Sequence, residues 1–468
     1  MTTIDLVIVL SYVVGLFVFG MVVGLRETAE DFLILSRRAN VILVLFSVVS
    51  SWVGVGVIVG TAAAGYDSGI SFALTGGLGA LVAVGAASVI APRIKAFGDL
   101  HRAHTLGDFF GIRYSRAARV ASASVVILIY LLFTAVQFNG LARLLNVWTG
   151  VAFESAIAIT AVTTIIYTAF AGIKSDFYTD VIHFCVMAVV LLGVLLPILG
   201  GATHGFRDLL ALPPSFFSPF SFGGVGYFAG ALVFGVGVVF VSMELWQRIY
   251  ASTSAATARK ALIGSALAVV PFYAVAAVSG MALRVRDPFL TDRDLALFVM
   301  MKTYLPNGIL GLGVAAFIAV FVSSVNTMIM VVSATFTKDF YKTMIKPEAT
   351  EMNMLRMGRI STLLAGIGGL LLSYVVRDII TLSILALFLL LVFLPAVIGG
   401  FYWRRSTATG AFWSIVAGLV GTFGALPYLK TNAFVPGFLL CTLVFVVVSK
   451  LTPHAPSEIV EVLNEVRR

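Results

Sequence analysis

The sequence predicts an all-α polytopic membrane protein of about thirteen transmembrane helices, and three observations predict it. Of 468 residues, 60% are hydrophobic and only 11% are charged, whereas a soluble chain is about 25% charged. The mean hydropathy is +1.05. The apolar runs last roughly 20 residues, the length a helix needs to cross about 30 Å of hydrocarbon. The charge deficit excludes a soluble domain of this size and a disordered chain. The run length excludes an outer-membrane barrel, whose strands alternate over roughly 10 residues.

The runs follow in order. The first, 4–24, is entered by Asp5 and left through Arg26. It lacks a basic n-region and a small-residue cleavage site, so it reads as a retained helix rather than a secretion signal. Runs 41–66 and 70–92 are apolar and glycine-rich. Run 118–142 follows the basic Arg113, Arg116 and Arg119 and is interrupted by Gln137 and Asn139. Runs 153–173 and 180–200 are divided by the polar SDFYTD. Run 226–247 ends in MELWQR, and 261–283 comes next. Run 308–335 carries SSVNT, and 358–376 follows it. Run 379–402 is almost free of hydrogen-bonding side chains. Runs 408–428 and 433–450 close the membrane part, leaving a tail at 451–468 too short for a catalytic module.

The loops give the orientation. With the N-terminus outside, 23 of the 31 basic residues fall on cytoplasmic connections or the tail. That is the positive-inside asymmetry, so the net charge of +9 reports topology and not nucleic acid. The two cysteines, Cys185 and Cys441, both fall within spans. They read as small buried hydrophobes, with no disulfide implied.

Transport paths need polar atoms and irregular backbone at membrane depth, and three places supply them. The second run contains SSWVGVGVIVG, with Ser50, Ser51, Gly54, Gly56 and Gly60. Each glycine costs a helix roughly 1 kcal/mol relative to alanine, which permits a break whose carbonyls can hold a hard cation. Close packing through small residues is the bland alternative. The ninth run holds Ser323, Ser324, Asn326 and Thr327. Ser323, Asn326 and Thr327 share one helix face, a set of hard oxygen donors, although serines commonly bond back to their own helix. Asp180 opens the sixth run, where a carboxylate costs about 2.5–3.5 kcal/mol. With Asp176 and Thr179 it also suits a helix cap. His183 stands one turn on and reads as a packed histidine. Glu244 precedes Arg248 by four residues, the spacing of a helical ion pair. Thr75 sits beside Gly76, Gly77 and Gly79. Arg143 ends the fourth run at the outer side, within reach of a substrate carboxylate. No metal motif, phosphate loop or nucleophile–base set is recognisable, so an enzyme reading has little support.

These motifs together resemble the sodium/solute symporter family over about 4–450. TAEDFLILSRR, SSWVGVGVIVGTA, HTLGDFFGIRY, YTAFAGIKSDFYTDVIHF, WQRIYA, SSVNTMIMVVSATFTKDFY and PAVIGGFYWRRSTATGA occur in the family's order. The resemblance implies a LeuT-type core of two inverted five-helix repeats, 41–200 and 226–402. One extra helix (4–24) precedes the core and two (408–450) follow it. It implies a main sodium site at the carbonyls of Ser50, Val53 and Val320 and the hydroxyls of Ser323 and Ser324. A second sodium site would use Asp180 with Ser323, Asn326 and Thr327. Asn326 and His183 depart from the family pattern, which more often has a hydroxyl residue and a glutamine there. The substrate is expected beside Ser51, Gly54, Gly56, Thr75, Gln137 and Asn139.

The expected function is sodium-coupled import of a small organic solute, an amino acid or monocarboxylate in preference to a sugar. Sodium is the expected coupling ion. A proton-coupled carrier, or a sensor of the same fold that binds without transport, is the alternative. The expected setting is a bacterial inner membrane, N-terminus outside and C-terminus cytoplasmic. The expected partners are solute, sodium and lipid, with no nucleic acid, and the chain is expected to act as a monomer.

Overall fold

The computed structural model describes residues 2–24, 27–375 and 379–453. The expected exit residue Arg26 and nearly all of the tail at 451–468 lie outside the described residues. Among the described residues the protein is all helix apart from one isolated bridge pair, Ala39 with Ser252. Eleven helices are long and apolar enough to cross a membrane, and one bent pair makes a twelfth span. The shorter apolar helix Phe153–Ala169 occupies the remaining expected position.

In chain order the helices are α1 (Thr3–Gly24), α2 (Ala29–Ile34), α3 (Val41–Trp52), α4 (Val55–Ser68), α5 (Ser71–His101), α6 (Leu106–Arg113) and α7 (Arg116–Thr149). Then come α8 (Phe153–Ala169) and α9 (Gly172–Ala202). The second half holds α10 (Gly224–Val241), α11 (Met243–Ala251), α12 (Ala255–Ala268), α13 (Val270–Arg286), α14 (Ala296–Tyr304), α15 (Ile309–Thr335) and α16 (Glu351–Val375). Finally come α17 (Ile379–Leu389), α18 (Leu394–Tyr402), α19 (Ala408–Leu429) and α20 (Phe434–Leu451).

Local sequence explains the ends. Asn40 accepts from the Leu43 amide to start α3, and Thr105 with Asp108 forms a capping box on α6. Ser115, Ser254 and Thr407 cap α7, α12 and α19 in the same way. Each satisfies an amide that helix geometry leaves orphaned. Three breaks interrupt the spans: at Val53–Gly54, at Ser242 between α10 and α11, and at Gly172 between α8 and α9. Gly172 takes φ 56°. The expected start of the sixth span at Asp180 is therefore corrected. The helix begins two turns earlier, because the polar KSDFYT stretch is helical and mostly packed inside the protein. Asp180 is thus interior to a helix and caps nothing.

Two groups of packed helices result. In one, α4 lies on α13, and α5 lies on α10 and α12. In the other, α7 and α8 pack with α15 and α16. The helix α1 fastens to the second group and to α9. Asp5 Oδ1 accepts from the amides of Gly308 and Gly311 at the start of α15, at 2.8 and 2.7 Å. Tyr12 bonds His183 Nδ1 at 2.7 Å, and the Gly20 carbonyl accepts from Ser175. The cysteines are free; Cys441 is buried as expected, but Cys185 is exposed on the outer surface of α9.

The α4–α13 contact depends on glycine. A methyl group on Gly280 would lie 2.0 Å from the Ala62 carbonyl oxygen and 2.6 Å from the Tyr66 amide. Backbone cannot yield cheaply to such a clash. Gly280→Ala is therefore expected to cost about 1–3 kcal/mol or more, read as a fall in the thermal unfolding midpoint of detergent-purified protein. An unchanged midpoint would show that α4 and α13 are not held at this separation.

Candidate functional site

The second span bends by 49° between α3 and α4. Val53 (φ −75°, ψ 68°) and Gly54 (φ −102°, ψ −165°) leave the helix, and it resumes at Val55. The break is thus narrower than the glycine pattern predicts: Gly56 and Gly60 are helical residues of α4. Gly54 is required for space and not for its torsions. A Cβ there would lie 2.6 Å from Ser324 Oγ and 2.9 Å from Gln137 Nε2.

The break redirects amides. The Gly54 amide bonds the Trp52 carbonyl and the Val57 amide bonds the Gly54 carbonyl. The Val55 amide donates to Gln137 Oε1 at 3.1 Å. An intact helix would have sent these three amides to the carbonyls of Ser50, Val53 and Ser51. The Ser51 carbonyl instead accepts from the Ser324 hydroxyl at 3.0 Å. The carbonyls of Ser50 and Val53 are left without those helical donors. The Ser50 hydroxyl is buried and has no hydrogen-bond partner among the described residues. Val320 lies one turn before Ser324 on α15 and is fully buried. The structure therefore brings α3 and the serines of α15 together, and Ser324 touches the break itself.

Ser323, next to Ser324 on α15, ties the break to a second polar layer. Its hydroxyl donates to Asp180 Oδ1, and Ser47 donates to Asp180 Oδ2. The guanidinium of Arg248, fully buried on α11, lies 3.1 Å from Asp176 and 3.5 Å from Asp180. It also donates to Thr327 at 2.6 Å and to Ser47 at 3.1 Å. Thr327 donates to Asp176. Asn326 turns to α8, where its Oδ1 accepts from Thr168. Asp180, Ser323 and Thr327 thus share one network, but Asn326 bonds outside it and Arg248 occupies its middle. The expected Glu244–Arg248 ion pair is corrected too. Two buried aspartates take the guanidinium, while Glu244 accepts from Tyr130 of α7.

Beside the break lies a cavity of about 220 Å³. Of the residues proposed to contact substrate, Ser51, Gly54, Gly56, Thr75 and Gln137 line it. Asn139 does not. It is buried two residues beyond Gln137, about 200° round α7, so the two cannot face one cavity. Trp52, Phe133, Tyr273 and Phe388 supply aromatic wall, and Glu244 joins the lining. Arg143 is not available to a substrate carboxylate, because it pairs with Asp292 at 2.6 Å and Asp294 at 3.5 Å. His183 lies away from the cavity, bonded to Tyr12 of α1.

Sequence reasoning missed Arg248, Asp176 and Ser47 as partners. The spacing of Asp176 and Asp180, four apart on one face, was the available signal. Nothing local showed that Arg248 turns inward.

Two broken spans meeting at a cavity, in a bundle of this connectivity, define a secondary transporter of the LeuT-type fold. A solved Na+-coupled sialic acid symporter matches with a TM-score of 0.85 at 18% identity, covering 97% of this chain and 99% of that one. A nucleobase-cation-symport-1 family transporter, Mhp1, matches with a TM-score of 0.59 at 14% identity, covering 92% and 97%. The family model for the sodium:solute symporter family matches residues 32–418, and the chain belongs to that family. Among similar sequences, the sodium/pantothenate symporter of Escherichia coli (strain K12) is 27% identical over 96% of both chains. The sodium/proline symporter of Staphylococcus aureus is 25% identical over 81% of this chain and 79% of its own.

The buried network gives a stability test. Removing Arg248 leaves two close carboxylates without their cation, a change that costs about 3–5 kcal/mol. Arg248→Met should lower the unfolding midpoint strongly, and Arg248→Lys should restore only part, since lysine cannot fork to both aspartates. Thermal unfolding of all three proteins, with full stability in Arg248→Met as the contrary result, decides it.

Proposed function

We propose that the protein performs sodium-coupled import of its solute, with sodium held at the break by the carbonyls of Ser50, Val53 and Val320 and the hydroxyls of Ser323 and Ser324. The observation that carries this reading is the redirection of three amides at Val53–Gly54, which frees carbonyl oxygens opposite the α15 serines. Hard oxygen ligands of this kind suit a small hard cation. Family membership supports sodium as the coupling ion. The repeats run over 41–200 and 226–402, with 4–24 and 408–450 as additions. The protein lies in the bacterial inner membrane with its N-terminus outside.

Sodium at this position links α3, which packs on α12 of the first group, to α15 of the second. Binding favours the state in which the cavity is complete; release to the cytoplasm lets one group rock against the other. One charge crossing 100 mV supplies about 2.3 kcal/mol. At about 1.4 kcal/mol per factor of ten, voltage alone sustains roughly 45-fold accumulation. One sodium per cycle suffices. Arg248 lies between Asp176 and Asp180 and fills the position a second cation would take, although its single charge balances only one of the two carboxylates.

Sodium should raise the unfolding midpoint of the purified protein, and equimolar potassium should not. Ser323→Ala and Ser324→Ala should each raise the sodium concentration for half-maximal stabilisation roughly tenfold or more. Wild-type sodium dependence in both variants would remove these serines from the site. The wild-type titration should follow a single-site curve; a Hill slope near two would place a second ion in the protein.

A further inference from the structure

The cavity's charge balance singles out Glu244. Among the described residues of the wall it is the only carboxylate, and no lysine, arginine or histidine faces it there. The nearest guanidinium, Arg248 one turn along α11, is directed at Asp176, Asp180, Thr327 and Ser47. Arg248 reaches only the main-chain carbonyl of Glu244, at 3.5 Å. Glu244 forms no ion pair among the described residues.

Its placement is built and specific. The span breaks at Ser242, and α11 restarts at Met243. The Tyr130 hydroxyl accepts from the Met243 amide at 2.8 Å and from the Glu244 amide at 3.3 Å. The same hydroxyl donates to Glu244 Oε2. One carboxylate oxygen is thereby fixed, and Oε1 has no hydrogen-bond partner among the described residues. Glu244 is half-buried, while Met243 and Leu245 on either side are buried. Its exposure is to the cavity it lines.

A carboxylate in so apolar a place is costly unless it is paired. A cargo that pairs with the ionised form brings positive charge. The remaining wall is largely aromatic and aliphatic, and the hydroxyls of Ser51 and Thr75 donate to carbonyls of their own helices. Among the described residues no other charged side chain lines it, so a simple monocarboxylate would add like charge. An ammonium group suits both features: it pairs with the carboxylate, and its neighbouring C–H surface lies against aromatic faces such as Trp52 and Phe388. The volume of about 220 Å³ accommodates a small molecule.

We propose that Glu244 is a specificity-determining residue, and that the solute carries a protonated amine or quaternary ammonium which the Glu244 carboxylate pairs with inside the cavity. This rests on the reading of that cavity as the transport site. It narrows the expected amino acid or monocarboxylate to solutes bearing a positive nitrogen, whether zwitterionic or cationic.

The test is ligand-induced thermal stabilisation of the full-length protein in saturating sodium. L-proline, glycine betaine and choline serve as ammonium probes. Pyruvate and pantothenate serve as carboxylates that lack one. At least one ammonium probe should stabilise the wild type and both carboxylates should not. Glu244→Gln keeps an acceptor for Tyr130 but loses the charge. It should weaken the effective probe roughly tenfold or more, while Glu244→Asp should retain part of the response. Stabilisation by pyruvate or pantothenate alone, silence from all three ammonium probes, or an unchanged response in Glu244→Gln would overturn the proposal. Sodium titrated alone in each protein separates the two readings. If sodium stabilises wild type and Glu244→Gln alike but the ammonium probes fail, the specificity proposal falls and the sodium site stands. If sodium does nothing in the wild type, the transport reading falls first.

Discussion

In hydrocarbon no water takes up an amide or carbonyl that a helix releases, so a span can break only where another part of the protein accepts what it lets go. This constraint organises the centre of the molecule. At the first break Gln137 takes the Val55 amide. At the second, Tyr130 takes the amides of Met243 and Glu244. Both residues belong to α7 and stand seven apart, two turns on one face. A single straight helix therefore stabilises both interruptions, and the cavity is the space enclosed between them.

The same constraint distinguishes the two polar layers. At the break, carbonyls are released faster than side chains consume them, leaving oxygens for a cation. In the adjoining layer Ser47, Ser323, Thr327 and Arg248 meet Asp176 and Asp180, and only Asp176 Oδ1 of the two carboxylates has no hydrogen-bond partner among the described residues. The first layer is suited to exchange its occupant. The second is suited to hold α3, α9, α11 and α15 in register.

Much of this was legible in the sequence, for physical reasons. Lipid imposes length and apolarity, so the spans could be read in order, and the positions of the broken helix and the SSVNT cluster followed from polar residues where lipid forbids them. The rest was hidden because it depends on reach across helices. Asp180 looked like a cap because the apolar run begins there, while the helix itself starts at Gly172 under cover of neighbouring elements. Arg248 looked like a partner for Glu244 because only the spacing along α11 was visible. Asn139 and Gln137 looked equivalent until the rotation of α7 turned one toward the cavity and the other away.

The helix α1 is fixed at three depths: Asp5 to the start of α15, Tyr12 to His183, and Gly20 to Ser175. It is tied to α15 at its first end and to α9 at the other two depths, the two helices that also carry the serines and aspartates of the inner layers. It works as a splint laid across that joint. Any change in the angle between α15 and α9 has to bend α1 or break one of its fastenings. A helix that lines neither the break nor the cavity would in this way set the stiffness against which the transport cycle works.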